Sequence, residues 1–127
     1  RGMHAAYLQS FRRRFSNTAQ YAELCRPLLE LILQATDPTP LAILAGVVAT
    51  SALEIRRRLA LLGSMVAIHP AEDARDASWD TVRVTHASLR TWLCGIDPRS
   101  RQPFAGVFAV EAGAGLAALT VAAALVA

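Results

Sequence analysis

Lysine is missing from this chain: all thirteen basic side chains are arginine. That pattern points to a GC-rich coding bias more than to a binding chemistry. The net charge of +3 is modest, so neither nucleic acid nor an anionic membrane is implied unless the charge is clustered. Aromatic residues are scarce, at 6% of a chain that is 54% hydrophobic, so the core must be built mainly from Leu, Ala, Val and Ile, which favours packed helices. Only two cysteines occur, Cys25 and Cys94, with no C-x-x-C pair and no signal-peptide pattern upstream. The expectation is a pair of reduced, buried thiols in a cytoplasmic protein. The histidines are His4, His69 and His86; His4 falls in an expected flexible end, and the other two have no local carboxylate or cysteine at ligand spacing. Neither a GxxxxGK[ST] loop nor a GxGxxG loop occurs, and no nucleophile, base and acid come together, so the chain by itself is not expected to be an enzyme.

What is present reads as helices around a short hairpin. At 127 residues the chain is large enough for one domain with flanking pieces. Residues 4–15 carry Tyr7, Leu8, Phe11 and Phe15 at helical spacing, with Arg12, Arg13 and Arg14 between them. This is an amphipathic helix that either packs on a core or lies on a membrane. Ser16 and Asn17 end it or cap the next segment, which runs through Tyr21 and Leu24 until Pro27. A new helix starts at Arg26-Pro27 and, apolar on most sides, runs to about Thr36 as the central helix. Asp37-Pro38-Thr39-Pro40 stops it, and Thr39 as N-cap with Pro40 at the first position launches the next helix, to about residue 48. Thr50 or Ser51 caps a further helix, Ser51 with Glu54 three residues on forms a capping box, and Gly63 supplies a left-handed stop. Two short helices joined by a tight turn, the second bearing Arg56, Arg57 and Arg58, read as helix-turn-helix. A strand within Ser64–His69, a polar loop from Pro70 to Asp80 and a return strand at Thr81–Thr85 complete a wing. The expected fold class is therefore mainly α with a small β-wing: a winged helix, made of helix-turn-helix plus a two-stranded hairpin, with flanking helices. The boundaries are a lead-in helix in 1–20, the winged-helix domain in 21–96, and a connector and the start of a following helical region in 97–127.

The junction at His86 draws most attention. Val82 and Val84 alternate with polar neighbours, whereas Leu89, Trp92, Leu93 and Ile96 recur at helical spacing, so a strand ends and a helix begins within a residue or two. Backbone N–H groups at a helix start lack intrahelical partners and carry the positive end of the dipole, which suits an anion such as a phosphate. A histidine at such a place otherwise caps the helix or is satisfied by backbone. Ser88 reads as a first-turn hydroxyl satisfying local N–H groups, Trp92 as the anchor of this helix in the core, and Trp79 as a pin for the wing loop.

A winged helix commonly binds DNA, and Arg56, Arg57 and Arg58 would face it. Against this, Glu72, Asp73, Asp76 and Asp80 in the wing loop face a single Arg75, a local charge of about −3 where phosphates would lie. DNA binding ranks second, and a bare protein-interaction adaptor is a third reading. The first methionine is at position 3, and the chain stops within an apolar run, so it is expected to be part of something longer. That final run, the 16 residues 112–127, would span about 24 Å as a helix, short of a hydrocarbon core of about 30 Å. Its alternatives are a small-residue helix packing on the next element and a membrane segment cut short.

The stretch VRVTHASLRTWL, residues 82–93, resembles a motif of the NACHT-type signalling ATPases of the STAND class, written loosely F-x-H-x-S-F-x-x-F/W-L. Val84, His86, Ser88, Leu89, Trp92 and Leu93 occupy its positions, with Val84 and Leu89 replacing aromatics. RPLLELILQATDPTPLAILAGVV and EIRRRLALLGSMVAI are similar to the preceding helices, turn and first wing strand of that family. FAGVFAVEAGAGLAALTVAAALV resembles the segment that follows, but Gly115 and Leu116 stand where a Gly-His pair is common. The resemblance implies a winged-helix module behind an ATPase core in the same chain, with a downstream repeat domain as a further partner. It also implies that His86 contacts the β-phosphate of ADP bound by that core and so holds the closed, inactive arrangement. ADP and ATP would be ligands of the parent protein, with none held by this segment alone.

Overall fold

A computed structural model describes residues 2–35, 37–71 and 76–111 of the chain. Among these are six α-helices and a small antiparallel sheet. They are α1 (Gly2–Arg14), α2 (Thr18–Leu24), α3 (Arg26–Gln34), α4 (Leu41–Val47), α5 (Ala52–Ala60) and α6 (Ala87–Cys94), and the strands are β1 (Thr39–Pro40), β2 (Val66–His69) and β3 (Thr81–Val84). The protein is thus mainly helical with a three-stranded sheet, of order β1-β3-β2.

Local chemistry accounts for most element ends. Asn17 caps α2 by accepting from the Gln20 N–H at 3.1 Å. Pro27 sits in the first turn of α3, where its missing N–H costs nothing. This helix buries Leu28, Leu29, Leu31, Ile32 and Leu33, as expected of a helix apolar on most sides. Ser51 caps α5 by accepting from the Glu54 N–H at 3.1 Å. The expected capping box is only half formed, because the Glu54 carboxylate pairs with Arg58 at 3.1 Å, on the next turn of the same helix, and not with the Ser51 N–H. Gly63, with φ of +59°, makes the left-handed stop and opens a 3₁₀ turn, Gly63–Met65, that feeds β2.

The expected two-stranded hairpin has a third strand. Thr39 pairs with Val82 and Pro40 with Thr81, so Thr39 is a buried strand residue rather than a helix cap. Pro40 takes the N-cap position of α4 with extended backbone instead of starting the helix. A two-residue edge strand tolerates a proline because the missing donor falls on the unpaired side. The Leu41 N–H donates to the Asp80 carbonyl at 2.9 Å and extends the pairing. On the other edge, Val66 pairs with Val84 and His69 with Thr81. The loop between these strands carries a 3₁₀ turn at Ala77–Trp79, capped by Asp76, with Trp79 half-buried. The Ser78 hydroxyl and backbone N–H both bond the Asp76 carboxylate and hold its pKa below the usual range. Glu72, Asp73 and Arg75 of the acidic loop lie outside the described residues.

One apolar cluster runs through the whole described chain. It takes in Phe11 and Phe15 of α1, Tyr21, the α3 leucines, Ile55 and Leu59 of α5, Val82, Trp92, Phe108 and Val110. The apolar face of α1 is therefore turned to the core, while Arg12, Arg13 and Arg14 are exposed. Aromatics are few but concentrated: Phe11 packs on Trp92 at 5.0 Å and on Phe108 at 5.2 Å between ring centroids, and Tyr21 meets Phe108 edge-on. Residues 97–111 fold back on this cluster, where the Tyr21 hydroxyl donates to the Phe108 carbonyl at 2.6 Å and the Val110 N–H to the Leu93 carbonyl at 2.9 Å. Desolvation raises the pKa of the Tyr21 phenol, against the lowering effect of neighbouring Arg26. No helix among the described residues is long and apolar enough to cross a membrane. The apolar run 112–127 lies outside the described residues.

Candidate functional site

β3 ends at Val84 and α6 begins at Ala87, so His86 falls at the N-cap of α6 with extended backbone, φ −137° and ψ 134°. Its ring makes no capping hydrogen bond, and the residue is exposed. The bond that closes the first turn comes from its carbonyl, which accepts the Leu89 N–H at 3.1 Å. Three residues later the helix turns inward, with Leu89, Trp92 and Leu93 buried. Burial of one end fixes where the other end points its free N–H groups and its histidine.

His86 opens on a cleft of about 440 Å³, within the size range of small-molecule sites. One wall is α1, with Ser10 and Arg14; the other is the 3₁₀ turn and the strand end, with Ser64 and Thr85; Met65 and Leu89 supply apolar surface. Among the described residues, no carboxylate lines the cleft. The Thr85 hydroxyl donates to the Ser64 carbonyl at 2.8 Å and pins the 3₁₀ turn to the strand end. This donor set suits an oxyanion: a guanidinium, an imidazole, two serine hydroxyls and the start of a helix, with no competing carboxylate among the described lining residues. The phosphate of a nucleotide fits that chemistry. A metal does not, and no group of three His, Cys, Asp or Glu side chains able to hold one occurs among the described residues.

Other sequence-selected residues are placed differently. Ser88 does not serve first-turn N–H groups; its hydroxyl is hydrogen-bonded to the Tyr7 hydroxyl at 2.7 Å, across 81 residues of sequence. His4 is engaged rather than loose, because its Nδ1 accepts from the buried Trp92 indole N–H at 2.9 Å. Of the three arginines offered to DNA, Arg56 pairs with Asp80 and also donates to the Ala77 carbonyl, Arg58 pairs with Glu54, and Arg57 is exposed on the surface of α5. His69 lies at the far end of β2 beside Arg83, remote in the fold from the His86 cleft. The Cys25 thiol is buried and pushed up to about 11 by desolvation, partly offset by Arg58. Cys94, half-buried, is raised for the same reason. Neither thiol is activated as a nucleophile.

Sequence reasoning found His86 but missed Arg14 and Ser10. Their one signal is spacing: they lie four residues apart on the polar side of α1. Nothing local ties that face to a junction some seventy residues on. Comparison with protein-family models, curated proteins and solved structures finds no match to this chain.

Proposed function

We propose that this chain is a non-catalytic regulatory winged-helix module of a cytoplasmic NACHT-type STAND signalling ATPase. In this reading His86 contacts the phosphate of the nucleotide held by an upstream ATPase core. The winged-helix reading is supported by the element order α3, β1, α4, α5, β2, β3 and by the strand order β1-β3-β2, in which the hairpin follows a helix-turn-helix pair. The nucleotide reading is carried by one observation: His86 is exposed at a helix start, makes no capping bond, and faces a cleft that has an arginine and, among the described residues, no carboxylate. Its ring N–H donates to a phosphate oxygen there, and the phosphate charge offsets the unfavourable helix dipole whenever the ring is protonated. ADP touching both core and module favours their closed packing by its differential affinity, and exchange for ATP releases it.

Two tests bear on this. The parent sequence upstream of Arg1 should carry a GxxxxGK[ST] loop; its absence over a few hundred residues would sink the proposal. In ADP-loaded parent protein, His86→Ala should enlarge the hydrodynamic radius and raise basal activity. A closed, silent variant would count against it. The DNA-binding alternative is weakened by the ion pairs that occupy Arg56 and Arg58, which leave Arg57 as the exposed member of the trio. It predicts salt-dependent duplex retardation of the chain, lost when the three arginines are neutralised.

A further inference from the structure

We infer that Arg14 is a second anion-binding side chain of the His86 cleft, so that the two hold one phosphate group between α1 and the β3–α6 junction. The inference rests on the phosphate reading of His86. Arg12, Arg13 and Arg14 end the same helix, yet only Arg14 lines the cleft. Its Nε donates to the Ser10 hydroxyl at 3.2 Å, one turn earlier, so the terminal nitrogens are not the ones this bond uses. Unlike Arg56 and Arg58, it has no carboxylate partner among the described residues.

Gly63 lies directly beneath this guanidinium. A Cβ at that position would lie 2.5 Å from Arg14 Nη1 and 2.9 Å from its Cζ, so any side chain there would push the guanidinium away. Glycine is favoured here by its φ of +59°, and a side chain in its place would shift the arginine that lies over it. A planar guanidinium offers paired donors that match two oxygens of one phosphate, while the imidazole supplies a single directed donor from the opposite wall. The ligand class is a terminal phosphate, either of a nucleoside diphosphate or of free pyrophosphate. The donors of the cleft address a phosphate, while Tyr7, Met65 and Leu89 supply its apolar surface.

The test is an NMR titration of the isotope-labelled 127-residue chain at low ionic strength, where exposed charges are least screened. Inorganic pyrophosphate and ADP are the probes. The Arg14 Nε–H and His86 ring signals should shift together on one saturation curve. Both probes should bind alike; ADP binding more than about tenfold tighter would overturn a phosphate-only site. Arg14→Gln should weaken binding by about tenfold, the scale of one charge-assisted contact, with an unchanged thermal midpoint. If Arg14→Gln leaves binding unchanged while His86→Ala weakens it, the inference fails and the His86 reading stands. If His86→Ala is without effect while Arg14→Gln weakens binding, the His86 reading fails and the shared site with it.

Discussion

His4 and His86 flank the same helix, and they do opposite work. His4, reaching from α1 to the last turns of α6, gives its Nδ1 lone pair to a buried indole N–H. His86, at the first turn, makes no side-chain capping bond and faces a cleft. A ring nitrogen committed to a buried donor belongs to the fold, because removing it strands that donor. A ring left exposed beside uncommitted backbone N–H groups costs the fold nothing to remove and is available to a ligand. The contrast between the two ends of α6 separates a histidine tied into the fold from one whose ring the fold does not use.

That contrast can be broken at graded points. The largest effect is expected in the aromatic cluster beneath Trp92, where Phe11→Ala should destabilise the chain by about 3–5 kcal/mol in denaturant unfolding. A loss under 1 kcal/mol would mean the cluster is not the common support of both ends. Next, His4→Ala leaves the Trp92 N–H without its acceptor and should cost about 1–3 kcal/mol, nearer the lower figure because His4 is only half-buried. His4→Gln, which restores an acceptor, should recover part of that loss, and equal losses for the two variants would remove the hydrogen bond from the account. Gly63→Ala forces a left-handed φ on a residue with a Cβ and should cost about 1–2 kcal/mol. It should also displace Arg14, so pyrophosphate binding would fall with stability. The smallest effect belongs to His86→Ala, whose unfolding free energy should stay within about 0.5 kcal/mol of the parent chain. A drop comparable to that of His4→Ala would show that His86 is a second structural histidine.

How much of this was legible in the sequence follows from the range of each interaction. The Ser51 cap, the Gly63 stop, the α3 core face and the change of period at His86 are local, and each is written within a few consecutive residues. The third strand was not legible, because Thr39-Pro40 has good helix-start chemistry and its pairing partner lies some forty residues on. The bonds Tyr7 to Ser88 and His4 to Trp92 span 81 and 88 residues, so no periodicity announces them. They also explain why α1, which read as a lead-in, shares the core with α6 and supplies one wall of the cleft. Arg14 looked like one of three equivalent surface charges until Gly63 and Ser10 set it apart.

The most direct measurement is the rate at which the ADP-loaded parent protein releases nucleotide, compared among wild type, His86→Ala and a His69→Ala control from the far end of β2. The account predicts release about tenfold or more faster for His86→Ala alone, the loss of one charge-assisted contact to phosphate, with His69→Ala at the wild-type rate. Equal rates for all three proteins would contradict it.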